Sequence, residues 1–135
     1  MPIVTWSDEY NINVEEIDIQ HQQLLELVNN LHSSVEANIG KNDLKDLLIE
    51  LTEFTRMHFS TEEKLMKEHD YPEYKDHHKD HITLLKHMNQ LVAKVSNGKG
   101  PTFSSDYDVS TDWALVHILE HDKNLGAFLN SRGVY

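Results

Sequence analysis

The sequence predicts an all-α protein, an antiparallel up-down-up-down four-helix bundle with an irregular N-terminal arm. Three observations lead there. Apolar residues recur at three-and-four spacing through four stretches of the chain, which is the period of an amphipathic helix. Glycine and proline fall between the first three stretches and not within them. The first two connections are short, which favours antiparallel neighbours.

Residues 1–17 read as the irregular arm, with Trp6, Tyr10, Ile12 and Val14 available to pack it across the body. The first helix is expected to start near Asp18 and to turn Leu24, Leu25, Val28, Leu31 and Val35 inward. It should end at Asn38-Ile39-Gly40, where Gly40 suits the left-handed position that closes a helix. Asn42 is the expected N-cap of the second helix, whose inward row runs from Leu44, Leu47, Leu48 and Leu51 through Phe54, His58, Phe59 and Glu62 to Leu65 and Met66. The chain turns at Asp70-Tyr71-Pro72, since proline suits a first helical turn and not a helix interior. A third helix carries Tyr74, His77, His81, Leu84, Leu85, Met88, Leu91, Val92 and Val95, and stops by Ser96-Asn97-Gly98. After a polar loop from Gly98-Lys99-Gly100-Pro101 to about Val109, a fourth helix bears Trp113, His117, Ile118, Asp122, Leu125 and Phe128. Its start falls between Ser104 and Thr111.

The 135 residues suffice for one domain with a real core and not for two comfortable ones, so residues 1–135 are expected to form a single unit, arm about 1–17 and bundle about 18–131. No apolar run approaches the ~18 residues of a membrane span. Met1-Pro2-Ile3-Val4-Thr5-Trp6 lacks the basic region and long apolar stretch of a signal peptide. A cytoplasmic location is the expectation. The absence of cysteine removes disulfides, cysteine-ligated iron–sulfur clusters and thiolate metal sites. A formal net charge of −11 disfavours nucleic acid and anionic membrane as partners.

Within this frame the ionisable residues are out of place. His58-x3-Glu62 continues the row of Leu47, Leu51 and Phe54, and His77-x3-His81 continues into Leu84, Leu85 and Met88. His117-x4-Asp122 sits with Trp113, Ile118 and Leu125, and His21 leads into Leu24, Leu25 and Val28. Side chains four apart on a helix point the same way, while the five-residue step from His117 to Asp122 is looser and serves if the two reach different ions. An isolated His-x3-Glu is usually a surface pair, and a lone His21 is usually an ordinary polar side chain. Seven such groups in core stripes of four consecutive helices need a shared partner, because ionisable groups are rarely buried unless paired or metal-bound. Seven nitrogen and oxygen ligands are too many for one ion and about right for two.

Ligand type narrows the metal. Imidazole suits zinc, copper, iron and nickel, and carboxylates suit harder cations. Zinc sites commonly close with four ligands, fewer than are present here. Carboxylate-rich di-iron bundles use Glu-x-x-His motifs with four carboxylates and two histidines, and here the balance is inverted. Neutral imidazoles leave a less anionic centre, one less inclined to stabilise high-valent iron, which points to reversible oxygen chemistry.

The order His21, His58-Phe59 with Glu62-Glu63, Tyr71-Pro72, His77-x3-His81, Trp113-x3-His117-Ile118 and Asp122 resembles the hemerythrins, and among them the single-domain bacterial branch, the bacteriohemerythrins. The likeness runs from Trp6 to Phe128. It implies a non-haem di-iron centre, two iron ions cycling between Fe2+ and Fe3+ under a bridging oxo or hydroxo group. His77, His81 and His117 would hold one iron and His21 and His58 the other, with Glu62 and Asp122 bridging both. Two roughly octahedral ions offer about twelve positions, and this set leaves one open, on the ion with only two histidines. Dioxygen would bind there as a hydroperoxide, and its release would reverse every step. By family position Phe59, Trp113, Ala114 and Ile118 would line a dry pocket.

Two residues depart from the family pattern: Ala114 stands where a leucine is general, and Leu125 where a tyrosine is often found. The smaller Ala114 is expected to admit solvent and to speed autoxidation relative to Ala114→Leu. His32, His69, His78, His87 and His121 fall outside the ligand set; His78 should be solvated, and His121 is either a surface group or a neighbour of the ligands. Asp18 and Glu63 either orient ligand imidazoles through their outer N–H or act simply as an N-cap and a solvated charge. The leading expectation is a dioxygen-binding protein and not an enzyme, serving storage, delivery, scavenging or sensing. The alternative is a di-iron enzyme acting on peroxide or nitric oxide. A purely structural bundle leaves seven core ionisable groups unexplained.

Overall fold

The computed structural model describes residues 7–37, 40–96 and 121–135. These residues build a four-helix bundle: α1 (Glu15–Glu36), α2 (Lys41–Glu68), α3 (Tyr74–Ser96) and α4 (Lys123–Ser131), preceded by an arm with one 3₁₀ turn at Asp8–Tyr10. There is no strand among the described residues. Helix α2 packs against both α1 and α3. The expected Trp6, Trp113, Ala114, His117 and Ile118 positions, and the start of the fourth helix, lie outside the described residues.

Several boundaries differ from the sequence expectation for local reasons. Helix α1 begins at Glu15, not near Asp18, and Asp18 is not its N-cap. The Asp18 carboxylate reaches back to the arm, accepting the backbone N–H of Ile12 at 2.8 Å and of Asn13 at 3.1 Å. Gly40 is not in the left-handed region: its φ of −60° and ψ of 154° make it the extended N-cap of α2, which therefore starts before Asn42.

The α2–α3 reversal is closed by Asp70, at φ 54°. The N–H of Tyr71 donates to Met66 O at 2.9 Å and that of Asp70 to Lys67 O at 3.4 Å, the paired bonds of a Schellman motif. Helix α4 ends in the same way, with Gly133 at φ 80° and bonds from Val134 N–H to Leu129 O and from Gly133 N–H to Asn130 O.

Two apolar clusters divide the core. One joins Leu24, Val28, Leu31, Leu44, Leu48, Leu51 and Val95 of α1, α2 and α3. The other joins Ile12, Val14 and Ile17 to Met66, Tyr71, Leu125 and Leu129. The arm lies hard against α4, because a Cβ on Gly126 would fall 2.7 Å from Ile12 Cβ. Asn130 ties the same place, its Nδ2 donating to the Asn13 carbonyl at 3.0 Å and to the Val134 carbonyl at 2.8 Å. In sequence, His21, His58, His77, His81 and Asp122 each fall between or beside residues of these clusters. The polar residues form a layer within an apolar body.

Candidate metal centre

Six of the seven expected ligands are described, and all six converge. His21, His58, Glu62, His77, His81 and Asp122 have side chains at most 2% exposed. Helix period accounts for the pairs: one turn carries His58 to Glu62 on α2, with Nε2 2.9 Å from Oε2, and another carries His77 to His81 on α3, ring centroids 4.6 Å apart. Asp122 arrives differently. His121 and Asp122 wind as a π turn leading into α4, and such a turn brings residues five apart toward one face. His117 lies outside the described residues. The Asp122 side chain makes no capping bond to α4.

The two carboxylates divide their oxygens between two groups of imidazoles. Glu62 Oε2 lies 2.9 Å from His58 Nε2 and 3.4 Å from His21 Nε2. Its Oε1 lies 3.1 Å from His77 Nε2 and 2.9 Å from His81 Nε2. Asp122 repeats the division, Oδ2 lying 2.8 Å from His21 Nε2 and Oδ1 3.0 Å from His77 Nε2. Two sets of four ligand atoms result, His21/His58/Glu62/Asp122 and Glu62/His77/His81/Asp122. They share both carboxylates.

These residues fit a pair of metal ions. Donor atoms bound at right angles to one ion at ~2.1 Å lie ~3 Å apart, and the separations here run from 2.8 to 3.4 Å. The Nε2 atoms of His21 and His58 lie 2.8 and 2.9 Å from carboxylate oxygens, in contact but off the line of a well-aligned hydrogen bond. Within each group the nitrogens and carboxylate oxygens lie within 4.8 Å of one another, close enough to share an ion. Burial alone would push the His21 and His77 imidazoles down, but Asp122 and Glu62 beside each together outweigh it and raise both to about 9. The cavity is built for positive charge.

The outer ring nitrogens are also engaged. His58 Nδ1 donates to Gln20 Oε1 at 2.7 Å. His81 Nδ1 faces Glu63 Oε2 at 3.3 Å, and the other Glu63 oxygen takes His78 Nδ1 and, at 3.5 Å, the Tyr74 hydroxyl. Of the two readings of Glu63, the orienting contact is the one observed. His78 is partly exposed but not simply solvated: it is held by Glu63 and stacked on Tyr74, ring centroids 5.5 Å apart. Asp18 touches the arm instead of a ligand. His121 is partly exposed, near Asp80 and edge-on to the His77 ring at 5.8 Å. No periodic signal in the sequence distinguishes Gln20, which is off the core stripe. Phe59, the described member of the expected pocket, is buried and stacks on His81 with centroids 3.7 Å apart and planes at 7°.

The family model described as Hemerythrin HHE cation binding domain matches residues 13–129. A bacteriohemerythrin of Methylococcus capsulatus is 28% identical over 132 residues, covering 97% of this chain and all of that protein. One of Clostridium acetobutylicum is 26% identical, covering 87% of this chain and 95% of that protein. One of Stenotrophomonas maltophilia is 28% identical over 73% of this chain, and the match spans 64% of that relative's length. The crystal structure of a wild-type hemerythrin superposes with a TM-score of 0.86 at 28% identity, over 94% of this chain and 98% of that one. A family model that spans nearly all of the bundle, joined to that shared architecture and to a buried His/Glu/Asp cluster compatible with two irons, shows that the chain belongs to the hemerythrin family.

Proposed function

We propose that this protein binds dioxygen reversibly at a di-iron centre held by His21, His58, Glu62, His77, His81 and Asp122, with His117 as the seventh ligand. The observation that carries the reading is the division of Glu62 and Asp122, each with one oxygen toward His21 and His58 or His21 alone and the other toward the His77 group. When bound, an iron pair supplies the two electrons that reversible oxygen capture requires. The chain's own residues then do three things.

They would hold an ion pair through Glu62 and Asp122, both fully buried and so restricted in movement. They keep the imidazoles oriented, through Gln20 on His58 and Glu63 on His81. They also exclude water: Phe59 covers His81 and lies 5.9 Å from His58, and the apolar clusters supply the rest of the surroundings. A dry surrounding favours release of the ligand unchanged over its loss by protonation. Trp113, Ala114 and Ile118 complete the pocket in this reading, and residues 1–135 act as one domain. No described helix is long and apolar enough to cross a membrane.

The test is anaerobic loading with ferrous iron, followed by cycles of oxygen addition and removal under an optical spectrum. Two irons per chain and a visible charge-transfer band that comes and goes with oxygen are expected. Irreversible conversion to ferric protein with turnover of peroxide or nitric oxide would replace this reading with the enzymatic one.

A further inference from the structure

The outer partners of the imidazoles are unequal, and the inequality follows the division of the centre. On the His77/His81 side, His81 Nδ1 faces a carboxylate, Glu63 Oε2 at 3.3 Å. That carboxylate is pinned through its other oxygen by His78 and Tyr74. On the other side, His58 Nδ1 donates to the amide oxygen of Gln20 at 2.7 Å, and the Gln20 NH2 donates to Thr61 Oγ1 at 3.3 Å and Met57 Sδ at 3.6 Å. His21 Nδ1 is buried with no hydrogen-bond partner among the described residues. Among the described residues an anion therefore backs one group, through His81, and only neutral contacts back the other.

A carboxylate that accepts the outer ring proton draws it away and makes the opposite nitrogen a stronger metal donor. A neutral amide does so less. Resting on the reading of the centre as a pair of ions, we propose that Glu63 and Gln20 rank the two metal positions, so that the ion beside His77 and His81 is held tightly and the ion beside His21 and His58 is the exchangeable one. Both are positioning residues, since each acts through an imidazole and not on a metal. Each also adjoins a ligand in the chain, Gln20 before His21 and Glu63 after Glu62. His117 would add an imidazole to one side only, so the test alters the outer partners and leaves the ligands alone.

The experiment is anaerobic titration of the full chain with cobalt(II), read by visible absorption and calorimetry. The parent protein should take up two ions in separated steps. Glu63→Gln should weaken the tighter step by about 10- to 100-fold, the range seen when such outer partners are removed, with the looser step in place. Gln20→Glu should tighten the looser step, a gain that general loosening of the fold cannot produce. Circular dichroism and thermal unfolding of the metal-free variants check that both fold. Two ions bound with constants unmoved in both variants, or a Glu63→Gln effect confined to the looser step, overturns the ranking alone. A parent protein that fails to bind two cobalt ions overturns the reading of the centre, and the ranking with it.

Discussion

Phe59 lies flat on His81, with ring centroids 3.7 Å apart and planes 7° from parallel. One helical position after a proposed ligand, an aromatic ring thus seals another ligand on the neighbouring helix. Phe59→Ala should cost about 3–5 kcal/mol of stability, as burial and packing are lost together, measured by urea unfolding. In the iron-loaded protein it should also speed autoxidation, followed optically. A variant as slow to autoxidise as the parent would remove Phe59 from the water-excluding wall.

Glu62 serves both groups of imidazoles, whereas His58 serves one. Glu62→Ala should therefore abolish retention of both ions, and His58→Ala should leave the ion beside His77 and His81 in place. Elemental analysis after anaerobic loading and desalting separates the two outcomes. Equal loss of metal in both variants would contradict the shared-carboxylate arrangement.

Metal and protons compete for the same nitrogens. In the metal-free protein the imidazoles of His21 and His77, pushed down by burial but raised more by Asp122 and Glu62, stand at about 9. Their folded values exceed the ordinary ~6.5, so the stabilisation from protonating them is complete below about 6.5 and is lost as pH rises through about 9. The melting temperature of the metal-free protein should fall across that window. The metal-loaded protein should behave in the opposite sense, since acid displaces the ions. Melts with and without added metal check both signs.

The arm is fastened to α4 by contact at Gly126 and to α1 by the Asp18 carboxylate. Gly126→Ala should destabilise the protein by about 1–3 kcal/mol through overpacking against Ile12. Asp18→Asn should cost less, because the amide oxygen can still accept one of the two bonds. Urea unfolding of the two variants ranks them.

Much of this was legible in the chain. Helix period alone aligned His58 with Glu62 and His77 with His81, and the rows of leucine around them predicted their burial. What stayed hidden depends on how each segment meets its neighbours, whether a few residues away or on another helix. Asp18 reads as a helix-start residue, but its carboxylate is used up by Ile12 and Asn13. Gly40 reads as a helix end, yet its extended backbone starts the next helix. Gln20 carries no pattern, since its place depends on how α1 packs against α2. The signal for Gly126 was present, a glycine inside an apolar helical run, which often marks close approach of another backbone.

The polar layer is a seam between two apolar bodies that no single helix pair could build: one from α1, α2 and α3, the other from the arm, the start of α1, the end of α2 with the turn at Tyr71, and α4. The ligands themselves come from α1, α2, α3 and the residue that leads into α4. Metal retention thus reports that the halves have met in register, and a partly unfolded chain that opens either half would surrender its ions before the rest comes apart.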